Sequence, residues 1–279
     1  MKGKVLLYAS EIMQGDLKSV SFSKLRRPTH TKKGALLLIQ QNPDNLKRLT
    51  PRLKNNKTVV LSSIDKNPRT FKYAGEKAKN ELDVASFAVE RYPQNVKEVG
   101  NKLRASKDYR DLVKLALSKN GKLLKDFPEY QNDEEMVDIA VTNNSSALEF
   151  ANERFKKNPS FIYKHASERS FTLLNADKSL IKNRNFIKKV VSENPVTLNI
   201  LPMYQNDIEI VEIAILSEPT VLKFAGLEAR ANKALREFVV SHDLKGAMPY
   251  LISKEELERV KNKREDKKVN SEKEETEKE

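Results

Sequence analysis

The sequence predicts an all-α fold, an α-solenoid of about eight stacked helical hairpins, and three observations carry that prediction. A phrase built on Asn-Pro returns as QNPDNLKRL, KNPRTFKYA, RYPQNVKEV, ENPVTLNIL and SEPTVLKFA. Taking Pro43, Pro68, Pro93, Gly121, Ser145, Ser170, Pro195 and Pro219 as anchors, the successive gaps are 25, 25, 28, 24, 25, 25 and 24 residues. Composition agrees: 38% apolar and 33% charged residues, with no Trp and only 8 Gly, suit a helix-rich chain better than a sheet-rich one.

The first element of each unit precedes the anchor. Eight residues upstream stand Ala35, Val60, Ala85, Val113, Val137, Ile162, Ile187 and Val211; four upstream stand Ile39, Ile64, Val89, Leu117, Val141, Ala166, Val191 and Ile215. With the position five upstream they make an i, i+3, i+4 set, one face of an amphipathic helix. The second element follows the anchor, with Leu46, Phe71, Val96, Leu124, Leu148, Leu173, Leu198 and Leu222 three residues on. Six on are Leu49, Ala74, Val99, Phe127, Ala151, Ala176, Leu201 and Ala225, and this i, i+3 spacing predicts a second short amphipathic helix.

Punctuation separates the two helices. Asn42, Asn67, Asn120, Asn144 and Asn194 precede the anchor as N-caps, and proline fits the first helical position because its missing amide has no intrahelical partner. Twelve residues before the anchors, Asn56, Asp133, Asn158, Asn183 and Asp207 are expected to cap the first helix. Gly75, Gly100, Gly226, Pro128 and Pro202, seven after the anchors, read as stops for the second. One such hairpin is too small to offset the entropy of ordering its own chain, so neighbours must stack on one another.

Units of ~25 residues with an Asn-Pro or Asn-Gly turn followed by a Leu-x-x-Ala element, as in NPRTFKYAG, NSSALEFAN and EPTVLKFAG, resemble the tandem short helical repeats catalogued as a domain of unknown function in bacterial, viral and protist proteins. The resemblance covers roughly residues 34–240 and implies a repeat-built helical fold. It assigns no functional residue. The unit near Ser106 is longer than the rest, and Arg169-Ser170 stands where Asn-Pro is expected.

Domain limits follow. Residues 1–33, with 8 basic and 2 acidic side chains, read as a basic arm or cap; 34–252 form the array; 253–279 form a charged C-terminal helix and a disordered tail. Ser253 and Glu256 make a capping box ahead of Leu257 and Val260. No apolar run approaches the ~20 residues of a membrane-spanning helix, and the opening VLLYA is too short for a secretory core. The expectation is a soluble cytoplasmic protein, or one delivered to a host cell by a route that needs no signal.

Catalytic signatures are missing from the sequence. There is no Cys, the three histidines (His30, His165 and His242) lie in different units, and no metal-binding spacing occurs. His165 falls on an inward position and reads as packing, while Asp133, Glu134 and Glu135 open a helix and complement its dipole. No enzyme activity and no cofactor are expected. Charge is the sharper feature. Of the net +13, residues 1–130 carry 28 basic and 13 acidic side chains, and residues 131–279 carry 24 and 26.

Two basic rows account for much of that asymmetry. Four residues after the anchors, Lys47, Lys72, Lys97 and Lys125 recur before giving way to Glu149, Leu174 and Asn199. Two before the anchors, Lys66, Arg91 and Lys119 give way to Asn143, Glu168 and Glu193. Stacked units place such residues in line about 8 to 10 Å apart, where mutual repulsion is only ~0.4 kcal/mol in water. The rows therefore need no ligand to exist, and Tyr73 is the clearest surface aromatic beside them. A noncatalytic scaffold binding a protein partner is the first expectation. The alternative is a nucleic-acid-binding solenoid contacting phosphates through these residues, aided by Arg26, Arg27, Lys32 and Lys33. A third is the targeting half of a toxin, effector or phage protein whose activity lies in a partner.

Overall fold

The computed structural model describes residues 30–260 and 262, and among them all regular structure is helical, with no strand. They fall into two compact units divided after Phe150. Unit 1 contains the long helices α1 (Lys32–Gln41), α2 (Lys57–Lys66), α3 (Leu82–Arg91), α4 (Asp108–Lys119) and α5 (Glu134–Asn143), each packed on the next. Unit 2 contains α6 (Pro159–Ala166), α7 (Arg184–Glu193), α8 (Ile208–Ser217) and α9 (Lys233–Ser241), again each on the next. Helix α9, with Leu235 and Val239 buried, begins a ninth repeat beyond the eight anchored ones. Among the described residues no helix is long and apolar enough to cross a membrane.

The apolar columns form the core. Every residue eight before, four before and three after an anchor is buried. Six after, all are buried except Ala176, which is half-buried. The five expected first-helix caps also form: the side chains of Asn56, Asp133, Asn158, Asn183 and Asp207 accept from amides two or three residues on.

The second element differs from the expectation in kind. All eight are six-residue 3-10 segments whose first residue is the anchor: Pro43–Arg48, Pro68–Tyr73, Pro93–Glu98, Gly121–Asp126, Ser145–Phe150, Ser170–Asn175, Pro195–Ile200 and Pro219–Phe224. Three residues per turn bring positions three and six after the anchor under the position of the anchor itself, so an i, i+3 apolar set with nothing apolar required between suits this tighter helix. Asn42, Asn67 and Asn144 cap these segments by accepting from the amide two residues on. Asn120 makes no side-chain cap bond, and Asn194 instead donates through Nδ2 to the Ala166 carbonyl of the preceding repeat.

A third element was not expected at all. Single α-turns follow at Pro51–Lys54, Glu76–Lys79, Asn101–Arg104, Glu153–Lys156, Lys178–Lys182 and Leu227–Arg230, each burying one residue: Leu53, Ala78, Leu103, Phe155, Leu180 and Ala229. Where Pro128 and Pro202 occupy the seventh position, a 3-10 turn replaces it (Pro128–Tyr130, Pro202–Tyr204), and Gln131 and Gln205 donate back to Leu124 and Leu198 carbonyls.

Gly75, Gly100 and Gly226 therefore start this third element instead of stopping the second. Their φ values are −74°, −66° and −66°, open to any residue, so conformational freedom is not why glycine stands there. A Cβ at each would overlap an asparagine side chain reaching over from the preceding repeat: Asn55, Asn80 and Asn206. Those asparagines accept from Ala78, Leu103 and Ala229 amides, and beside them the glycine amides donate to the carbonyls of Lys54, Lys79 and Gln205. Each glycine is the floor of an asparagine clasp that joins two repeats.

Ion pairs join the long helices on another side. Arg110 on α4 reaches Asp133 at 2.6 Å and Glu135 at 2.9 Å, and Lys114 reaches Glu135. The same offsets recur in unit 2, where Arg184 meets Asp207 and Glu209 at 2.6 Å and Lys188 meets Glu209. The arginines hold Asp133 and Asp207 below the usual carboxylate range, reinforced by the cap amides of Met136 and Ile210 and opposed by partial burial. A carboxylate depressed on folding contributes stability that is complete above its unfolded value near about pH 4 and is lost as pH falls through the folded value. Asn keeps the capping oxygen but not the charge. Asp133→Asn with Asp207→Asn is accordingly expected to lose less stability than the parent between about pH 7 and about pH 3, read from urea midpoints at the two pH values.

At the termini, Lys32 and Lys33 lie within α1, which Thr31 caps. Arg26 and Arg27, with the rest of the expected arm, lie outside the described residues, as does the tail beyond 262. The Ser253–Glu256 capping box closes in both directions, at 2.9 and 3.1 Å, ahead of a helix over 254–260.

Candidate functional site

The 3-10 geometry decides which side chains form the surface. In a three-residue turn, positions one and four after the anchor eclipse each other, a third of a turn away from the buried positions three and six. All eight residues at position four are exposed. Lys47, Lys72, Lys97 and Lys125 do form a row on unit 1, and their eclipsed neighbours are Asp44, Arg69, Gln94 and Lys122. Arg69 and Lys122 thus belong to the same cationic face. The signal was available in the spacing: the outward residue repeats at three, not at three and four.

Aromatic rings are interleaved with these cations. Lys72 lies 4.9 Å and Lys47, from the preceding repeat, 6.0 Å from the Tyr73 ring centroid, while the Arg69 guanidinium lies 5.2 Å over Tyr92 of the next repeat. Lys97 is matched by Asp126 at 2.7 Å, which removes much of its charge from the row. Lys97 also lines an open cleft with Arg104, Tyr109, Asp126 and Tyr130. The cleft sits at the longer fourth unit, where Tyr130 is half-buried and Tyr109 is buried.

The second row is placed differently. Lys66, Arg91 and Lys119 are exposed at the ends of α2, α3 and α4, on the edge where each long helix turns into its 3-10 segment. Arg91 bonds Asp65 of the preceding repeat at 2.5 Å and covers the Phe87 ring. Lys32 and Lys33 are exposed on α1, apart from the 3-10 face.

Unit 2 carries different chemistry on the equivalent face. Phe171 and Leu174 eclipse each other and are 60% and 62% exposed; Val196, at the position of Phe171 in the next repeat, is 43% exposed. Their two segments, Ser170–Asn175 and Pro195–Ile200, pack directly on one another. On the adjoining hairpin edge Leu216 of α8 follows buried Ile215 and Val240 of α9 follows buried Val239, and both are more than half exposed. Glu168, Glu193 and Glu218 stand along that edge, with Arg169 among them. Ser217 Oγ donates to the Ser192 carbonyl at 3.1 Å, tying the ends of α7 and α8 together.

His165 is buried with its ring 4.6 Å from that of Phe161, in the packing role its position suggested. Among the described residues no group of three or more His, Asp or Glu side chains is arranged to hold a metal ion.

Comparison with known families places three matches to one family, described as a domain of unknown function (DUF4116), at residues 34–78, 109–156 and 183–228. No curated protein and no solved structure shows significant similarity to the chain. The matches begin 75 and 74 residues apart, which is three units, and each spans two. A block of three units is therefore itself repeated, and FPEYQND (127–133) and LPMYQND (201–207) are its equivalent stretches.

Proposed function

From the three tandem matches to DUF4116 repeats we propose that the chain is a noncatalytic scaffold inside the cell that binds another protein through the outward faces of its 3-10 segments. The observation that carries this reading is the exposed apolar set on unit 2. Phe171, Leu174 and Val196 are large apolar side chains left substantially exposed, Phe171 and Val196 occupy the same position of consecutive repeats, and the segments that carry them pack on one another. Contiguous exposed apolar surface of this kind is a mark of contact with another macromolecule, and its acidic surroundings disfavour a polyphosphate.

A second reading, nucleic-acid binding, is favoured by unit 1, where Arg69, Lys72, Lys122 and Lys125 face outward beside Tyr73 and Tyr92. Cations interleaved with rings suit a single-stranded phosphate chain. One experiment separates the two. The full chain, Phe171→Asp/Leu174→Asp and Arg69→Glu/Lys72→Glu are immobilised, exposed to extract from the native cell, and the retained material is divided by nuclease treatment. The expected result is a protein that survives nuclease, persists on the basic-face variant and falls about tenfold on the apolar-face variant. Retention lost to nuclease and to Arg69→Glu/Lys72→Glu, or unaffected by Phe171→Asp/Leu174→Asp, contradicts the protein reading.

A further inference from the structure

The apolar face of unit 2 also specifies the chemistry of what covers it, an inference that rests on the protein-binding reading above. We infer that its occupant is a basic amphipathic helix, a segment whose apolar residues seat on Phe171, Leu174 and Val196 while its Lys or Arg side chains face Glu168, Glu193 and Glu218.

Two observations converge on that partner. The first is spacing. Phe171 and Val196 are the same position in consecutive packed repeats, so they stand about one helix-packing distance apart, 8 to 10 Å. Two turns of an α-helix advance about 10.8 Å, so apolar residues at i and i+7 of a partner meet both anchors, and a residue at i+3 or i+4 falls against the ground between them. Leu174, eclipsed with Phe171, widens the first anchor to two side chains.

The second is charge. The position two before the anchor, basic in unit 1 at Lys66, Arg91 and Lys119, is Glu168 and Glu193 in the two repeats that carry the exposed apolar residues. Glu218, one before the next anchor, continues the acidic edge, and all three glutamates are exposed. Among the described residues no ion pair engages Glu168, Glu193 or Glu218. Thr220 Oγ1 donates to Glu218, a neutral partner that leaves its charge uncompensated. Arg169 is a cation at the same edge, and it subtracts from the acidic excess without reversing it. An apolar stripe bordered by carboxylates selects against acidic helices, which would meet like charge, and favours basic ones by complementarity.

The test uses two fluorescein-labelled helical peptides with the same leucine stripe at i, i+3 and i+7, one with lysine and one with glutamate at every flanking position, titrated into the full chain and followed by anisotropy. The Leu/Lys peptide is expected to bind at least about tenfold more tightly than the Leu/Glu peptide, and to weaken several-fold as salt rises from about 50 to 200 mM. Phe171→Asp/Val196→Asp should abolish binding of both. Glu168→Lys/Glu193→Lys/Glu218→Lys should reverse the preference, and because these positions are exposed, circular dichroism should show an unchanged helical fold. Equal binding of the two peptides, or binding that follows charge alone and ignores Phe171→Asp/Val196→Asp, overturns the inference. Self-association through the face, seen as a dimer in sedimentation that Phe171→Asp/Val196→Asp dissolves, overturns it as well by naming a second copy as the occupant. If the capture experiment retains a protein through Phe171 and Leu174 while the lysine peptide shows no advantage, the scaffold reading stands and only the basic helix is rejected.

Discussion

Replacing Gly100 with alanine is expected to destabilise unit 1 by about 1 to 3 kcal/mol, although alanine is ordinarily the better residue at a φ of −66°. The new methyl would occupy the space of the Asn80 side chain. Asn80 accepts from the Leu103 amide at 2.9 Å and donates to the Glu76 carbonyl at 2.8 Å, so expelling it breaks both bonds and strands an amide at the joint between repeats. Glu76 is drawn into the same joint, accepting from the Asn101 amide and from Asn80, which hold its carboxyl below the usual range. The argument has a sharper consequence in combination. With Asn80→Ala already made, the clasp is gone and the space is free, so Gly100→Ala should cost little or become stabilising. A double-mutant cycle by urea denaturation, with a coupling of about 1 kcal/mol or more, reads this directly. Purely additive effects would mean the glycine is there for some other reason.

That clasp shows where sequence reasoning reached its limit. Glycine after an apolar helix looks like a stop signal, and the three glycines do lie between elements. What demands them is a side chain twenty residues earlier, in the neighbouring repeat, and such a nonlocal steric cause leaves no mark on local pattern. The long helices were legible because burial at offsets of four and eight imposes a period on eight separate segments. The single α-turns were not, since a turn burying only Leu53 or Ala78 has no period to detect.

The 3-10 segments lay between these cases. Their apolar spacing of three was visible, but it satisfies an α-helix nearly as well, and the recurrence of lysine at position four marked Lys72 and Lys125 while Arg69 and Lys122, at a position with no recurring cation, carried no such mark. The pairing of Phe171 with Leu174, on which the proposed function depends, occurs in one repeat alone and so leaves no recurring pattern. Capping followed the same course. Asn42 and Asn67 cap as their sequence implies, whereas Asn194 sends its amide to the Ala166 carbonyl across a joint that the sequence does not display.

The most severe perturbation should be one that breaks the repeat register, and the mildest large one should be a deletion that keeps it. Residues 57–81 are 25 residues, one complete period, running from the start of α2 to the residue before α3. Removing them joins Asn56 to Leu82, supplies α3 with a better N-cap than Glu81, and sets Gly100 against Asn55 at the twenty-residue spacing that Gly75 now occupies. Each packing partner taken away is replaced by its equivalent from the next repeat. Removing only 57–68 deletes α2 and the anchor Pro68 but leaves the remainder of its 3-10 segment, so Phe71 and Leu46 lose the helix that covers them and exposure of both is expected to cost about 3 kcal/mol or more. If each repeat is held by its neighbours, the shorter deletion should do far more damage than the longer one.

Native-state hydrogen exchange on these two deletion variants tests that claim most directly. The account predicts that the 25-residue deletion keeps strong protection in α1, α3 and α4 with one cooperative urea transition, while the 12-residue deletion loses protection in α1 and α3. Equal loss in both variants, or greater loss in the longer deletion, would contradict a fold made of interchangeable repeats that stand only by leaning on one another.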